Sequence, residues 1–315
     1  MRIVFMGTPE FAVPSLTALL ESRHQVIAVF TQPDRPRGRG NKVVPPPVKV
    51  LAQAHGVPVY QPGRIRKESV GLLRELQPDL YVTAAFGQIL SQELLDIPAR
   101  GCVNVHASLL PRHRGSAPIN WAILQGDAVT GVTTMLTDRG IDTGDMLLKA
   151  ETPIAPEDTA GELTDRLSRV GAQLLLETLD RMEAGTLTRE KQDEAAMTYD
   201  PMLDKAMGYV DWTKPAVDIV RLIHGLNPAP GASAITDGGR LKLHRAKVAE
   251  LPDDPAARPG TVVLADPKKG LFLQCGSGVI ELTQVQAAGG KPMSAKDYLR
   301  GHPVTPGTVW KEEDQ

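Results

Sequence analysis

The sequence predicts an α/β fold in which a Rossmann-like, doubly wound and mostly parallel sheet is followed by a small OB-like antiparallel β-barrel domain. Three observations predict this class. Residues 2–31 read as strand, helix and strand, the crossover unit that opens a doubly wound sheet. Apolar runs and helical segments then alternate as far as residue 184. From residue 232 onward, short strands are separated by turns at intervals typical of small barrels.

The chain of 315 residues is long enough for two domains with sizeable cores. Residues 1–188 are predicted to form the first domain and residues 209–315 the second. Between them, residues 189–208 are polar and contain no long apolar run, which is typical of a linker.

The elements of the first domain follow from the apolar periodicity, the turn residues and the helix-start signals. Thr8 is predicted to cap the first helix, whose first turn contains Pro9. In order, the predicted elements are strand 2–6, a helix through Leu20, strand 25–31, helix 48–55, strand 57–60, helix 69–76, strand 80–86, a strand through 102–106, helix 119–125, strand 131–136, strand 145–150 and a long amphipathic helix within 159–184.

The second domain is predicted to begin with one helix at 215–225 and a turn at NPAPG. Its predicted strands are 232–236, 240–248, 260–264, 271–275 and 278–286, and a short helix lies in SAKDYLRG. Barrels of this type commonly present one face to nucleic acids or sugar polymers, and many are purely structural.

Composition excludes several classes of protein. The hydrophobic content of 42% and the charged content of 23% are ordinary globular values. The two cysteines, Cys102 and Cys275, are far apart and lack metal-ligand spacing, so neither a disulfide framework nor a metal site is indicated. No apolar run approaches 18 residues, and the amino terminus lacks a signal-peptide pattern. We therefore expect a cytoplasmic protein without membrane attachment. A monomer is a separate expectation that these observations do not supply.

Charge is distributed unevenly. The formal net charge is −2, so the whole molecule does not indicate nucleic-acid binding. Residues 31–50 nevertheless carry five basic residues and one acidic residue, a local charge of +4 in a segment rich in glycine and proline. This segment is either a solvated loop or a mobile basic arm that closes over a phosphate backbone.

The turn after the first strand, GTPEF, is not a GxGxxG fingerprint. A dinucleotide pyrophosphate would find no glycine cradle there, which disfavours an NAD-dependent oxidoreductase despite the predicted sheet.

The strongest chemical signal is the stretch CVNVHASLLPRHRG together with TDRGIDTGD. Asn104 and His106 alternate with valines, so on a strand both side chains leave the same face. An amide donor, an imidazole and the Asp142 carboxylate, which can hold that imidazole charged and oriented, suit a reaction that develops negative charge on oxygen. Taken one by one, the same residues are also ordinary turn or surface residues. His113, flanked by two arginines, is interpreted as loop filling.

The segments NVHASLLPRHRG and GIDTGD resemble the signature of the folate-dependent formyltransferases. The basic segment TQPDRPRGRGNKVVPPPVKV and the carboxyl-terminal third extend the resemblance, in particular to members that act on methionyl-tRNA, over nearly the whole chain. It implies transfer of a formyl group from 10-formyltetrahydrofolate to the amino group of methionine on initiator tRNA. Asn104, His106 and Asp142 would be catalytic.

The resemblance also implies binding residues. Those for folate are Phe86, Gln88, Ile89, Leu90, Ser108, Leu109, Leu110, Pro111, Asp138 and Ile141. Those for tRNA are Arg35, Arg37, Arg39 and Lys42. No metal is implied.

Three features depart from the family pattern. The segment TYDPMLDKAMG carries fewer basic residues than family members often have there, and Ala229 stands where an aromatic residue is expected. The second domain is also nearly neutral, with 13 basic and 12 acidic residues from position 209 onward. One alternative is a formyltransferase for a small amine, such as an amino sugar nucleotide or a purine intermediate, which would have no need of the basic segment. A non-catalytic protein that binds tRNA or folate is the other, and the intact polar trio argues against it.

Overall fold

The computed structural model describes residues 1–37, 42–252, 254 and 256–311. They form two compact units. The first comprises Met1–Pro118, Val129–Pro153 and Thr164–Asp200, and the second comprises Ile119–Ala128, Ile154–Leu163 and the described part of Pro201–Gln315. Within the described ranges, no helix combines the length and apolar character needed to span a membrane.

Up to residue 200, strands and helices alternate along most of the chain. In chain order they are β1 (Arg2–Gly7), a 3₁₀ turn (Glu10–Ala12), α1 (Val13–Glu21), β2 (Gln25–Phe30), β3 (Arg35–Arg37), β4 (Lys42–Val44), α2 (Pro47–Ala54), β5 (Val59–Tyr60), α3 (Ile65–Glu68), α4 (Val70–Leu76), β6 (Leu80–Ala84), α5 (Gln92–Leu95), β7 (Cys102–His106), β8 (Arg114–Gly115), α6 (Pro118–Gln125), β9 (Val129–Leu136), β10 (Met146–Pro153), α7 (Ala160–Glu183), a 3₁₀ turn (Glu194–Ala196) and β11 (Tyr199–Asp200).

The remaining elements belong to the second unit. They are a 3₁₀ turn (Lys205–Gly208), α8 (Ala216–Gly225), β12 (Ala232–Thr236), β13 (Gly239–Ala249), β14 (Val262–Asp266), β15 (Gly270–Gln274), β16 (Val279–Ala287), β17 (Met293–Ser294) and α9 (Ala295–Gly301).

The main sheet of the first unit has the order β10-β9-β7-β6-β1-β2-β5. Strand β9 is antiparallel to both of its neighbours, and the other pairs are parallel. Its central strands are continuous apolar runs, with Ile3–Met6 fully buried, because helices cover both faces of such a sheet. The predicted mostly parallel α/β class is confirmed. The strand order reverses between β1 and β6, which is where open α/β sheets place their ligand sites.

Thr8 does not cap the first helix, so that prediction is wrong. Its hydroxyl donates to Phe86 O at 3.1 Å and accepts from Gln32 N at 3.3 Å. It therefore joins the loops that follow β1, β2 and β6, and α1 begins only after the 3₁₀ turn. A side chain with partners on other strands cannot also satisfy a helix end, and sequence alone does not reveal such partners.

The second unit is an antiparallel sheet of order β12-β13-β16-β15-β14, with β17 beside β16. Residues near the carboxyl end bridge both of its edges, because Ile235 pairs with Lys311 and Thr261 pairs with Val309. This segment closes the sheet into a small barrel and covers edges that would otherwise expose backbone donors and acceptors. Trp212 and Trp310 meet edge to face in its core. The predicted second fold class is confirmed.

Part of the segment predicted as a linker contacts the first unit. Strand β11 pairs in parallel with β8, and Glu190 bridges Met146. Residues up to Asp200 therefore fold with the first unit, although their composition is that of a linker.

Candidate active site

The site is built on the carboxyl end of β7. Asn104 lies beside Thr83 of β6 and Met135 of β9 in the sheet register. Thr83 Oγ1 donates to Asn104 Oδ1 at 2.9 Å. Because this bond occupies the carbonyl end of the amide, it directs Nδ2, the donor end, outward. Asn104 can therefore present two N–H groups to an oxygen atom of a ligand.

The His106 side chain is almost fully buried, and each ring nitrogen has a different neighbour. Nε2 lies 2.9 Å from the main-chain oxygen of His113. Because a carbonyl can only accept, Nε2 must carry a proton and donate it. Nδ1 lies 3.6 Å from Asp142 Oδ1. Any proton that His106 gives or takes during a reaction therefore passes through Nδ1.

Asp142 lies in the loop between β9 and β10, in the left-handed region at φ 54°. One carboxylate oxygen, Oδ1, faces His106. The other, Oδ2, accepts a hydrogen bond from Gly115 N at 3.0 Å. The two oxygens are thus divided between the imidazole and the loop that follows β7, which fixes the orientation of the carboxylate.

Backbone strain is concentrated around this site. Among the described residues, the non-glycine residues with positive φ are Gln77, Ala85, His113 and Asp142. Gln77 ends α4, whereas the other three follow β6, β7 and β9. Residues held in this sparsely populated region tend to cluster at functional sites. Gly115 has φ 114°, and a Cβ atom there would lie 2.3 Å from Asp200 O, so only glycine fits between the site and β11.

A second layer of polar side chains supports Asp142. Gln192 Nε2 donates to the main-chain oxygens of Asp142 and Gly144 at 2.7 and 2.8 Å. Gln192 Oε1 accepts from Arg114 Nε at 2.9 Å. Arg114 in turn binds Glu194 at 2.8 Å, and this hydrogen bond lowers the Glu194 pKa below its usual value. Sequence reasoning missed Gln192 because a polar segment without apolar periodicity reads as a linker.

His113 is not loop filling, so that prediction is wrong. It is 2% exposed, and its Nδ1 lies 2.8 Å from Oδ2 of the buried Asp200. The prediction considered only the two arginines adjacent in sequence, whereas the residue that meets the ring is 87 positions away.

The predicted folate residues after β6 differ in what they expose. The side chains of Phe86 and Leu90 are buried in the core, and the Gln88 amide is bonded to Ile65 N at 2.7 Å and to Pro62 O at 3.0 Å. Ile89 is 68% exposed. What this loop offers a ligand is therefore its main chain and the Ile89 side chain.

The other predicted folate residues lie after β7 and β9. Ser108 Oγ donates to Arg112 O at 2.7 Å, Leu110 packs on Met135 and Met146, and Leu109 and Pro111 are half-buried. Asp138 Oδ1 accepts from Gly140 N and Thr143 Oγ1, so it shapes the turn that carries Ile141. Ile141 is 54% exposed, and its loop is joined to the start of α5 by a bond from Arg139 Nε to Gln92 Oε1 at 3.1 Å. The structure thus brings the loops of Ile89 and Ile141 together.

Three of the predicted tRNA residues, Arg35, Arg37 and Lys42, lie on a hairpin of β3 and β4, in which Arg37 is opposite Lys42. Arg35 is exposed, and its Nη2 donates to Gln32 Oε1 at 3.3 Å. Arg39 lies outside the described residues. At the base of the hairpin, Lys49 Nζ lies 2.8 Å from Asp34 Oδ2.

Gln32 connects this hairpin with the loop after β6. Its Nε2 donates to the main-chain oxygens of Phe86 and Gly87, each at 3.2 Å. The hydrogen bonds from Lys49 and Gln61 to Asp34 lower the Asp34 pKa, so this carboxylate stays charged and anchors the base of the hairpin.

One group of side chains in the described part of the chain has the spacing of metal ligands, namely His24, Asp180 and Glu183. Arg23 Nη2 lies 2.7 Å from both carboxylates, and the amino terminus lies 3.4 Å from His24 Nδ1. Positive charges of the chain itself already occupy this cluster.

Comparison with known proteins agrees with the fold. The model of the family described as formyl transferase matches residues 1–179, and that of the formyl transferase carboxyl-terminal domain matches residues 202–303. A protein of Geobacter metallireducens named methionyl-tRNA formyltransferase is 52% identical over 98% of this chain and 97% of its own length. A protein of the same name from Trichlorobacter lovleyi is 53% identical over 98% and 96%.

Solved structures share the fold at low sequence identity. HypX from Aquifex aeolicus in complex with tetrahydrofolic acid has a TM-score of 0.66 and 19% identity, and the match covers 95% of this chain and 47% of HypX. The N-formyltransferase from Helicobacter canadensis in complex with folinic acid and dTDP-3-aminofucose has a TM-score of 0.67 and 18% identity, with 90% and 99% covered.

Proposed function

The chain belongs to the methionyl-tRNA formyltransferase family, and on that premise we propose that it transfers the formyl group of 10-formyltetrahydrofolate to the α-amino group of methionine esterified to initiator tRNA. The observation that carries the proposal is the arrangement of Asn104, His106 and Asp142. An outward-facing amide donor stands on the same strand as an imidazole whose Nδ1 faces a carboxylate at 3.6 Å.

In this reaction the neutral amine attacks the formyl carbon. A C–N bond forms while the carbonyl π electrons move to oxygen, and the tetrahedral intermediate then expels N10 of tetrahydrofolate. The proton lost by the amine is balanced by the one that N10 gains. Asn104 Nδ2 is placed to donate to the oxyanion, and one such donor contributes about 3–4 kcal/mol in comparable sites.

His106 and Asp142 are assigned to the proton transfers of this reaction. Because Nε2 is bonded to His113 O, only Nδ1 is able to donate to the oxyanion or to the leaving nitrogen. The Asp142 carboxylate faces this nitrogen and orients the ring for that role. Asp142 Oδ1, directly or through a water molecule, is the acceptor for the proton of the attacking amine.

The co-substrate is assigned to the loops after β6, β7 and β9. Ile89 and Ile141 expose apolar surface there, suited to the flat ring of a pterin, and the loop after β6 offers main-chain groups for its polar edge. The tetrahydrofolic acid bound by HypX, a protein that shares this fold, supports the assignment. The tRNA is assigned to the hairpin of β3 and β4, whose Arg35, Arg37 and Lys42 suit a phosphate backbone, and to Arg39, which is also part of the basic sequence segment.

The test is a formyl-transfer assay with 10-formyltetrahydrofolate. Charged initiator methionyl-tRNA, charged elongator methionyl-tRNA and free methionine are compared, and we expect rapid transfer to the initiator species alone. Asn104→Ala, His106→Ala and Asp142→Ala are each expected to lower kcat by about 100-fold or more, with little change in tRNA affinity. His55→Ala, on the exposed surface of the first unit, is the control. Wild-type turnover in any of the three variants would refute the assignment of the site, and equal transfer to free methionine would refute the proposed substrate.

A further inference from the structure

His113 and Asp200 form a buried pair outside the three side chains assigned to the reaction. Their side chains are 3% and 1% exposed, and His113 Nδ1 donates to Asp200 Oδ2 at 2.8 Å. Asp200 Oδ1 is also buried and has no hydrogen-bond partner in the described part of the chain. A buried carboxylate is costly unless it is well paired, so this one depends on the His113 ring.

The segment that contains Asp200 also holds the backbone of His113. His113 N donates to Thr198 Oγ1 at 2.7 Å. Thr198 and Asp200 are two residues apart, and β11, which contains Asp200, pairs with β8. His113 itself is in the left-handed region, at φ 60°. A non-glycine residue persists in that conformation only where its surroundings fix it, and here Thr198 and Asp200 do so.

The third polar group of His113, its main-chain oxygen, is the acceptor for His106 Nε2. A neutral imidazole has two tautomers, and the hydrogen bond made by one nitrogen decides which tautomer is present. Without the carbonyl in this place, a neutral His106 would be free to carry its proton on Nδ1, where Asp142 is a competing acceptor. Nδ1 would then be unable to take up a proton during the reaction.

We propose that the His113–Asp200 pair is a positioning device of the site: it aims His113 O at His106 Nε2 and thereby reserves His106 Nδ1 for proton exchange. The catalytic role of this proton exchange rests on the proposed formyl transfer, whereas the control of the His106 tautomer does not depend on it. Neither residue contacts the reacting atoms in this account. Both act through His106.

The tautomer of His106 is measured directly with ¹⁵N-labelled histidine, using long-range ¹H–¹⁵N correlation spectra at a pH where the ring is neutral. The seven histidines are distinguished by comparison with His106→Gln and His113→Gln. We expect the wild-type protein to carry the proton on Nε2. In Asp200→Ala we expect a mixture of tautomers or a predominance of Nδ1–H, and in Asp200→Asn, whose side-chain oxygen still accepts from His113, we expect the wild-type spectrum.

Kinetics supply the second measurement. Asp200→Ala is expected to lower kcat by about 10- to 100-fold, because small errors in the position of a catalytic group have effects of this size. The KM for methionyl-tRNA should change little, and Asp200→Asn should recover most of the rate. Asp158→Ala removes a similarly buried carboxylate from the second unit and is the matched control for lost stability.

If Asp200→Ala does not fold, the double variant His113→Phe/Asp200→Ala replaces the pair with apolar groups, and Thr198→Val removes only the acceptor for His113 N. Both should shift the tautomer in the same direction. An unchanged His106 tautomer in the folded variants would overturn the proposal, whatever happened to kcat, because the pair would then be merely structural. A shifted tautomer in a protein that transfers no formyl group would leave the positioning intact and refute the proposed function instead.

Discussion

Asp142 is held from two sides by groups that are remote in sequence. Gly115 N binds its carboxylate, and the Gln192 amide binds the main-chain oxygens of Asp142 and Gly144. Because Asp142 has a left-handed backbone, the loop needs such contacts to keep the carboxylate facing His106. Gln192 therefore holds the loop that carries Asp142.

Replacing Gln192 with alanine tests this role. The change leaves the main-chain oxygens of Asp142 and Gly144 without their donor, which costs about 1–3 kcal/mol. If most of this free energy is lost from the transition state because Asp142 is displaced, kcat falls by about 5- to 150-fold. Formyl-transfer kinetics and thermal unfolding are measured together. Gln286→Ala, which removes a similar bond to Gly290 O in the second unit, is the control. A loss of stability with unchanged kcat would show that Gln192 only supports the fold.

At the scale of elements, the strands were predictable and their long-range partners were not. Strands β1, β2, β6 and β7 lie within two residues of their predicted bounds, because buried parallel strands read as uninterrupted apolar runs. The strand face shared by Asn104 and His106 followed from alternation alone. The pairing of β8 with β11 joins two residues to two others across more than 80 positions, and no local pattern marks it.

For the site, too, local sequence patterns do not reveal contacts between distant residues. The resemblance to a known family singled out Asn104, His106 and Asp142 because its motifs are contiguous in sequence. His113, Gln192 and Asp200 acquire their roles only when the polar segment after residue 188 folds back on the loop after β7. Such contacts are properties of the tertiary structure, so composition suggested a linker where the structure has a supporting layer.

Helix α8 carries a buried histidine with a predictable effect on stability. Burial lowers the pKa of His224 below 6.5, and the hydrogen bond with Pro156 opposes that shift only in part. Ala246 N donates to His224 Nε2 at 3.3 Å, so protonation of that nitrogen would lose this bond. Below pH 6.5 the unfolded chain therefore binds a proton that the folded chain resists, and the free energy of unfolding falls as the pH falls.

Urea unfolding from roughly pH 7.5 to roughly pH 5.5 measures this effect. All three tryptophans, Trp121, Trp212 and Trp310, belong to the second unit, so their fluorescence reports the part that contains His224. We expect His224→Gln to lose less stability than the wild-type protein on acidification, whatever its stability at neutral pH. The exposed His55→Gln is the control. An identical pH dependence in His224→Gln and the wild-type protein would contradict the assignment.

At the scale of the whole molecule, charge does not favour a polyanionic partner. The net charge is −2, and the chain from position 209 onward has 13 basic and 12 acidic residues. The segment 31–50 is the exception, and in it Lys49 is already paired with Asp34. The four other basic residues, Arg35, Arg37, Arg39 and Lys42, are the concentrated positive charge that a tRNA backbone would meet. Affinity for tRNA should therefore depend on this hairpin far more than on the overall charge.

The dependence of tRNA affinity on salt tests this conclusion. Replacing Arg35, Arg37 and Lys42 with glutamine should weaken binding and reduce the slope of log K against log salt by about 2–3, since each phosphate contact contributes roughly 0.7–0.9. Folate binding should be unchanged. The matched control removes three exposed positive charges of the first unit, Arg66, Lys67 and Arg169, and should keep nearly the wild-type slope. If the two triple variants show equal slopes, Arg35, Arg37 and Lys42 have no special contact with phosphate, and tRNA recognition must be sought elsewhere on the chain.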